Sequence, residues 1–238
     1  MTTTATSSKL VPQVLNKVSR MHPSLVGLSD KILGLATDAL RRANTDAVFF
    51  DPGMEHRQTL APLAAAHAGE LVLKALIARE HPLLLFKNLG EKSTNDEINL
   101  DWLLAHGRTH DFSRLPSVLW ASAGIELPNL DSFKRIAKRR NQVQHFLDNS
   151  QGDVQQECLD FIYGNLDPLL DEHFGLCACE YHEDQFPDYV IGCLLAHEIR
   201  FSVPTDLQLS EISPSEYLDN CSKNYRNWVE AHLVATSE

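Results

Sequence analysis

The sequence predicts an all-α protein, an irregular up-and-down helical bundle with additional C-terminal helices. Leu, Ala, Glu, Gln, Lys and Arg recur in long stretches with apolar residues at three- and four-residue spacing, and alternating β-branched runs of strand length are scarce. No repeat period organises the chain. With 238 residues, 43% of them hydrophobic, it is large enough to bury one sizeable core, alone or with a small appendage.

Residues 1–25 read as a flexible N-terminal segment, 26–170 as the bundle and 171–238 as a C-terminal helical extension with a Cys/His-rich loop. The first eight residues are small and polar, unlike a signal peptide, and no apolar run approaches transmembrane length. A first helix is expected over 29–44, with Ile32, Leu33, Leu35, Ala36, Ala39 and Leu40 facing inward. Asp51-Pro52-Gly53 marks a turn. A second helix over 59–80 holds Pro62 in its first turn and stops before Pro82. Its Leu63, Ala66, Gly69, Leu73 and Leu76 permit a close approach to neighbours. Leu83-Leu84-Leu85-Phe86 fits either a short strand or an apolar turn.

Thr94 and Glu97 form a capping box ahead of a helix that Gly107 closes. A short helix over 117–123 stops at Gly124, and the next is capped by Asn129 or Asp131. Helices over 154–163 and 189–199 flank an irregular stretch, and a tail helix starts near Ser213-Pro214-Ser215. The count comes to six or seven elements.

A formal charge of -11 argues against wrapping by nucleic acid. The charge is uneven, however. Five Lys or Arg residues and no acid lie between Ser132 and His145, while the stretch from Leu147 to Arg200 is strongly acidic. RNA is therefore a local partner at most.

Within that basic stretch, Arg140 falls in an apolar stripe of Phe133, Ile136, Val143 and Leu147, with Asn141 and His145 one turn apart beside it. A guanidinium grips phosphate oxygens through two donors, and an imidazole moves protons near neutral pH. Together they suit phosphodiester cleavage, in which a deprotonated 2'-hydroxyl attacks phosphorus in line. The five-residue separation turns Arg140 and His145 about 140 degrees apart on one helix. Two copies facing each other would bring them together. The structural alternative is an Arg140 that snorkels or pairs with an internal carboxylate such as Glu70.

Arg140-Asn141-Gln142-Val143-Gln144-His145, together with the helix bearing Glu70 and Lys74, resembles the HEPN superfamily of small helical-bundle proteins. Its hallmark is Arg, usually followed by Asn, Asp or His, then a His four to six residues after the Arg. The resemblance covers roughly residues 59–149. It implies a bundle of the HEPN type and a metal-independent endoribonuclease, acting as a homodimer through the Arg140–His145 helix. It also implies a toxin or antiviral effector with an antitoxin or regulatory protein as partner. Arg140 and His145 would be catalytic, Asn141 would orient them or contact phosphate, and Glu70 would hold Arg140. A module that keeps the bundle but binds RNA or protein without cleaving it is the alternative. Arg226 and His232 satisfy the same loose hallmark, with packing of a terminal helix as the competing use.

Cys177, Cys179, His182, Cys193 and His197 offer ligands for a structural zinc, which would make the chain a zinc-stabilised adaptor. The competing reading leaves Cys193 in the core and the loop cysteines as free thiols. Cys158 and Cys221 are expected to be buried. Five cysteines without a dense framework fit a reducing, cytoplasmic compartment, with no membrane partner. His106, His110 and Asp111 could line a polar site after Gly107. His81 is assigned to a helix end. No phosphate loop, zinc-protease motif or serine elbow occurs.

Overall fold

Apolar spacing of three and four residues becomes helix through most of the chain, and one two-stranded sheet joins the helices. The computed structural model describes residues 21–49, 55–91, 97–145, 152–183, 187–207 and 213–234. The all-α expectation holds at that level.

Residues 21–25 belong to the fold rather than to a flexible segment. Leu25, in the 3-10 turn Pro23–Leu25, is buried, and His22 Nε2 lies 3.0 Å from Glu97 Oε1. The remainder of that expected segment, 1–20, falls outside the described residues. Helix α1 (Leu28–Val48) buries Ala36, Leu40, Ala43 and Ala47 at helical spacing. Leu35, expected inside, is 59% exposed, because it sits one residue off that stripe and so about 100 degrees around the helix. The Asp51-Pro52-Gly53 turn lies outside the described residues.

Helix α2 (Glu55–Glu80) begins earlier than expected, which puts Pro62 inside the helix instead of its first turn. It packs most extensively against α1, where Ala61, Ala65, Ala68 and Val72 are fully buried and small enough to let the helices approach. Contrary to the sequence expectation, Arg57–Glu80 is long and apolar enough to cross a membrane by length and composition. Much of that surface is buried against the bundle. Gly69 shows how close the packing is: a Cβ there would stand 2.5 Å from Cζ of Phe161.

The segment after Pro82 takes both expected forms in turn. Pro82–Leu85 is a 3-10 turn, and β1 (Phe86–Asn88) then pairs antiparallel with β2 (Arg108–Thr109), Phe86 facing Thr109. Helix α3 (Leu100–His106) between them is capped by Asn99, whose side chain accepts from Trp102 N at 2.9 Å. Glu97 therefore does not serve as the expected cap; Thr94 lies outside the described residues. Helix α4 (Leu115–Ala123) ends at Gly124, whose φ of 70° is the left-handed conformation that glycine adopts without strain.

Helix α5 (Leu130–Gln144) carries the basic run and is capped by Asn129, which accepts from Ser132 N at 3.0 Å. Helix α6 (Val154–Phe161), the π turn Ile162–Leu166 and helix α7 (Asp167–Phe174) form one continuous run. Pro168 explains the interruption, since it offers no N–H and its ring crowds the preceding turn. The π turn presents Asn165, fully buried, to the start of α5. Asn165 Nδ2 donates to Asn129 O at 2.9 Å and Ser132 Oγ at 2.7 Å, and its Oδ1 accepts from Asn129 N at 2.9 Å.

Helix α7 crosses position 170, where the expected bundle gives way to the extension, and buried side chains from Ala36 to Leu233 form one core cluster. Helix α8 (Asp188–Ala196) is shorter than expected. The tail divides into a 3-10 turn, Pro214–Tyr217, and helix α9 (Lys223–Val229), separately capped by Ser222, instead of one helix from Ser213.

Candidate functional site

Helix spacing brings a set of polar side chains to one cavity. Glu70 and Lys74 stand one turn apart on α2, and Lys74 Nζ meets Glu70 Oε1 at 2.7 Å. Ala137, Arg140, Asn141 and Gln144 repeat at three and four residues along the facing side of α5. Arg140 Nη2 reaches the other oxygen of Glu70, Oε2, at 3.3 Å. One carboxylate thus lies between two cations, and all three side chains are mostly buried. These three side chains sum to one positive charge, and the cavity lining adds the Asp111 carboxylate, which Lys87 pairs.

The hairpin supplies the remaining wall. His110 N donates to Leu85 O at 3.0 Å, continuing the β1–β2 pairing and placing Thr109, His110 and Asp111 at the cavity. Lys87 on β1 pairs with Asp111 Oδ2 at 2.9 Å, which holds the Asp111 carboxyl below its usual range. Burial, reinforced by Lys87, Arg114 and Lys74 and opposed by Asp111, holds the His110 imidazole below its usual range. Phe112 forms the base: the Arg140 guanidinium lies 5.4 Å over its ring, and that ring packs on Phe133 at 4.6 Å. The cavity measures about 390 Å³, room enough for a phosphate and part of a nucleotide.

The cavity thereby joins Arg140, Asn141 and Glu70, as the residues suggested, and adds His110, with Lys74 paired to Glu70 outside the lining. His145 is elsewhere. It ends α5, its N–H bonded to Asn141 O at 3.1 Å, with an exposed side chain that does not line the cavity. One copy of the chain therefore does not bring Arg140 and His145 together.

The apolar stripe of α5 also differs in detail. Phe133 and Ile136 are buried and Val143 half-buried, while Leu147 lies outside the described residues. The deeply buried arginine is Arg139, 3% exposed and joined to Glu157 at 2.9 Å through both Nε and Nη2. Arg140 retains more contact with solvent. Arg135 reaches Asp160 at 3.1 Å. Three arginines of the basic run are thus engaged by carboxylates of the same chain.

The zinc candidates are arranged differently from a four-ligand site. Cys193 Sγ lies 3.7 Å from His197 Nδ1, but Cys179 is buried with its Sγ directed to Ser202 O at 3.6 Å. Among the described residues, no three His, Cys, Asp or Glu side chains are grouped to hold one metal ion. Hydrogen bonds tie the Cys/His-rich loop down: Asn44 Nδ2 donates to Ala178 O and Tyr181 O, both at 2.8 Å. Asp167 Oδ1 accepts from Ala178 N at 2.7 Å. Burial pushes the Cys177 and Cys193 thiols each up to about 11. All five cysteines are free, and Cys158 and Cys221 are buried as expected.

In the tail, His232 stacks on Trp228 at 5.3 Å and its Nδ1 lies 2.8 Å from Trp228 O, a helix-end packing role for that copy of the hallmark. His106 similarly stacks on Trp102 at 4.7 Å, away from the Arg140 cavity. His81 caps the turn after α2, accepting from Leu83 N. Comparison with protein-family models, with curated proteins and with solved structures finds no match to the chain.

Proposed function

We propose that the chain is a metal-independent endoribonuclease of the HEPN type, working on RNA as a homodimer in a reducing, cytoplasmic setting. The observation that carries this reading is Arg140. It shares Glu70 with Lys74 at a polar cavity that Asn141 and His110 also line. Glu70 aims the guanidinium, whose planar donors and fixed charge suit phosphodiester oxygens. Asn141 supplies an orienting amide. In a symmetric pair of α5 helices, the exposed His145 of one copy would approach Arg140 of the other. No metal enters this chemistry. A toxin or antiviral role, with a protein antitoxin or regulator, follows from the family resemblance alone.

A non-cleaving RNA- or protein-binding module is the second reading. It is favoured by the pairing of Arg135, Arg139 and Arg140 with Asp160, Glu157 and Glu70, which reduces the charge α5 offers to a polyanion. Incubation with structured and single-stranded RNAs in chelator separates the two. The nuclease reading expects chelator-resistant cleavage that Arg140→Ala reduces by about a hundredfold or more. Intact RNA across the panel, with retained binding, would leave the module.

A further inference from the structure

We infer that His110, from the β-hairpin, is the imidazole that shares a bound phosphate with Arg140. This rests on the reading above that the cavity takes a phosphodiester, and it changes which side chain transfers the proton. Three observations lead to it. His110 and Arg140 line the same cavity, from different elements, whereas His145 lies outside it. The hairpin fixes His110 through its backbone, by the bond to Leu85 O and the adjoining Lys87–Asp111 pair. Arg140 is fixed in turn by Glu70 and Phe112. Two groups carried by anchored elements thus line one space, as pre-organised phosphoryl chemistry requires.

The charges around His110 fit this role. Lys87 on β1, Lys74 on α2 and Arg114 on the following turn act against protonation, Asp111 acts for it, and Glu70 and Arg140 complete the charged wall. Burial first, and then these cations, hold the imidazole below its usual range, which favours the neutral form that accepts a proton. On RNA, His110 takes the proton of the 2'-hydroxyl as the bond from O2' to phosphorus forms. It returns that proton to the 5'-oxygen as the bond from phosphorus to O5' breaks. The products are a 2',3'-cyclic phosphate and a free 5'-hydroxyl, with atoms and charge balanced and no co-reactant.

The test uses the full chain and inorganic phosphate, followed by the histidine ring signals in NMR, with His110 identified by its loss in His110→Gln. Phosphate should move the His110 signal and raise its midpoint by about one pH unit, because an anion beside the ring favours the charged form. That response should disappear in Arg140→Gln, weaken in Arg140→Lys and persist in His145→Gln. A His110 signal indifferent to phosphate, or a response that survives Arg140→Gln, would overturn the assignment. The cleavage arm compares His110→Gln with wild type on RNA in chelator. A drop of about a hundredfold supports the assignment, and cleavage at the wild-type rate overturns it. If wild type leaves RNA intact while phosphate still titrates His110 through Arg140, the ribonuclease reading fails and the shared phosphate site stands.

Discussion

Arg139 and Glu157 form a two-pronged ion pair, Nε to Oε2 and Nη2 to Oε1, each at 2.9 Å, that joins α5 to α6 beneath the cavity-lining face. The geometry is that of a planar fork on a carboxylate, and Arg139 is 3% exposed. Truncating Glu157 removes both prongs of that pair from a buried guanidinium. Glu157→Ala should therefore lower stability by about 3 kcal/mol, read as a reduced urea midpoint with unchanged slope. Arg139→Lys keeps the charge but not the fork, and should lose a smaller part of that stability. A midpoint unchanged in Glu157→Ala would mean that the pair adds nothing to the fold.

Gly69 and Phe161 set the spacing between α2 and α6. A methyl group at position 69 would come within 2.5 Å of the Phe161 ring, whose neighbours Phe112 and Phe133 restrict its retreat. Gly69→Ala should cost about 1–3 kcal/mol by overpacking, against the gain in helix propensity that alanine ordinarily brings. Phe161→Leu should relieve the clash, so the double variant should be more stable than the sum of the single effects predicts. Additive losses would show that the ring is not what Gly69 accommodates.

These pairs also show what could be read along the chain. The small residues of α2 signalled a close approach, because helical period is a local property of sequence. The partner, Phe161, was not legible, since nothing local says which aromatic ring crosses position 69. Periodicity put Arg140 in the buried stripe of α5, but Arg139 entered the core and Arg140 stayed at the edge beside Glu70, because a one-residue offset along a helix is finer than the apolar pattern resolves. The polar run after Gly107 was visible, but its approach to Arg140 depends on the pairing of β1 with β2. Cys and His spacing allowed a metal site but favoured a core Cys193 with free loop thiols, and said nothing of what holds the loop. The clamp by Asn44 and Asp167 depends on contacts distant in sequence.

Asn165 holds the start of α5 by pairing with both backbone groups of Asn129. Asn165→Ala would take the acceptor from the part-buried Asn129 N–H and one of the donors to Asn129 O, and would leave Ser132 Oγ without its donor from Asn165. The expected cost is about 1–3 kcal/mol, concentrated at one helix end. Faster amide exchange at the start of α5, with the end of that helix less affected, is the expected signature. Asn165→Asp should rescue poorly, because a carboxylate cannot donate to Asn129 O or Ser132 Oγ.

Asp167 links stability to pH. Its Oδ1 accepts from Ala178 N at 2.7 Å and its Oδ2 from Ser202 N at 2.6 Å, clasping two loops of the C-terminal region. Burial pushes its carboxyl up to about 6, against the opposing pull of those two N–H groups. The folded chain therefore holds a proton over a range in which the unfolded chain has released it. The contribution is fully present below about pH 4, where both states are protonated. It is lost as pH rises through about 6. Relative to Asp167→Asn, which has no proton to lose there, wild type should become less stable between pH 4 and 7, by on the order of 3 kcal/mol. Urea unfolding of both proteins across that range measures the difference directly and cancels the carboxylates they share. A flat difference would mean that the two N–H groups just offset burial, and one that grows in favour of wild type as pH rises would mean that they prevail over it.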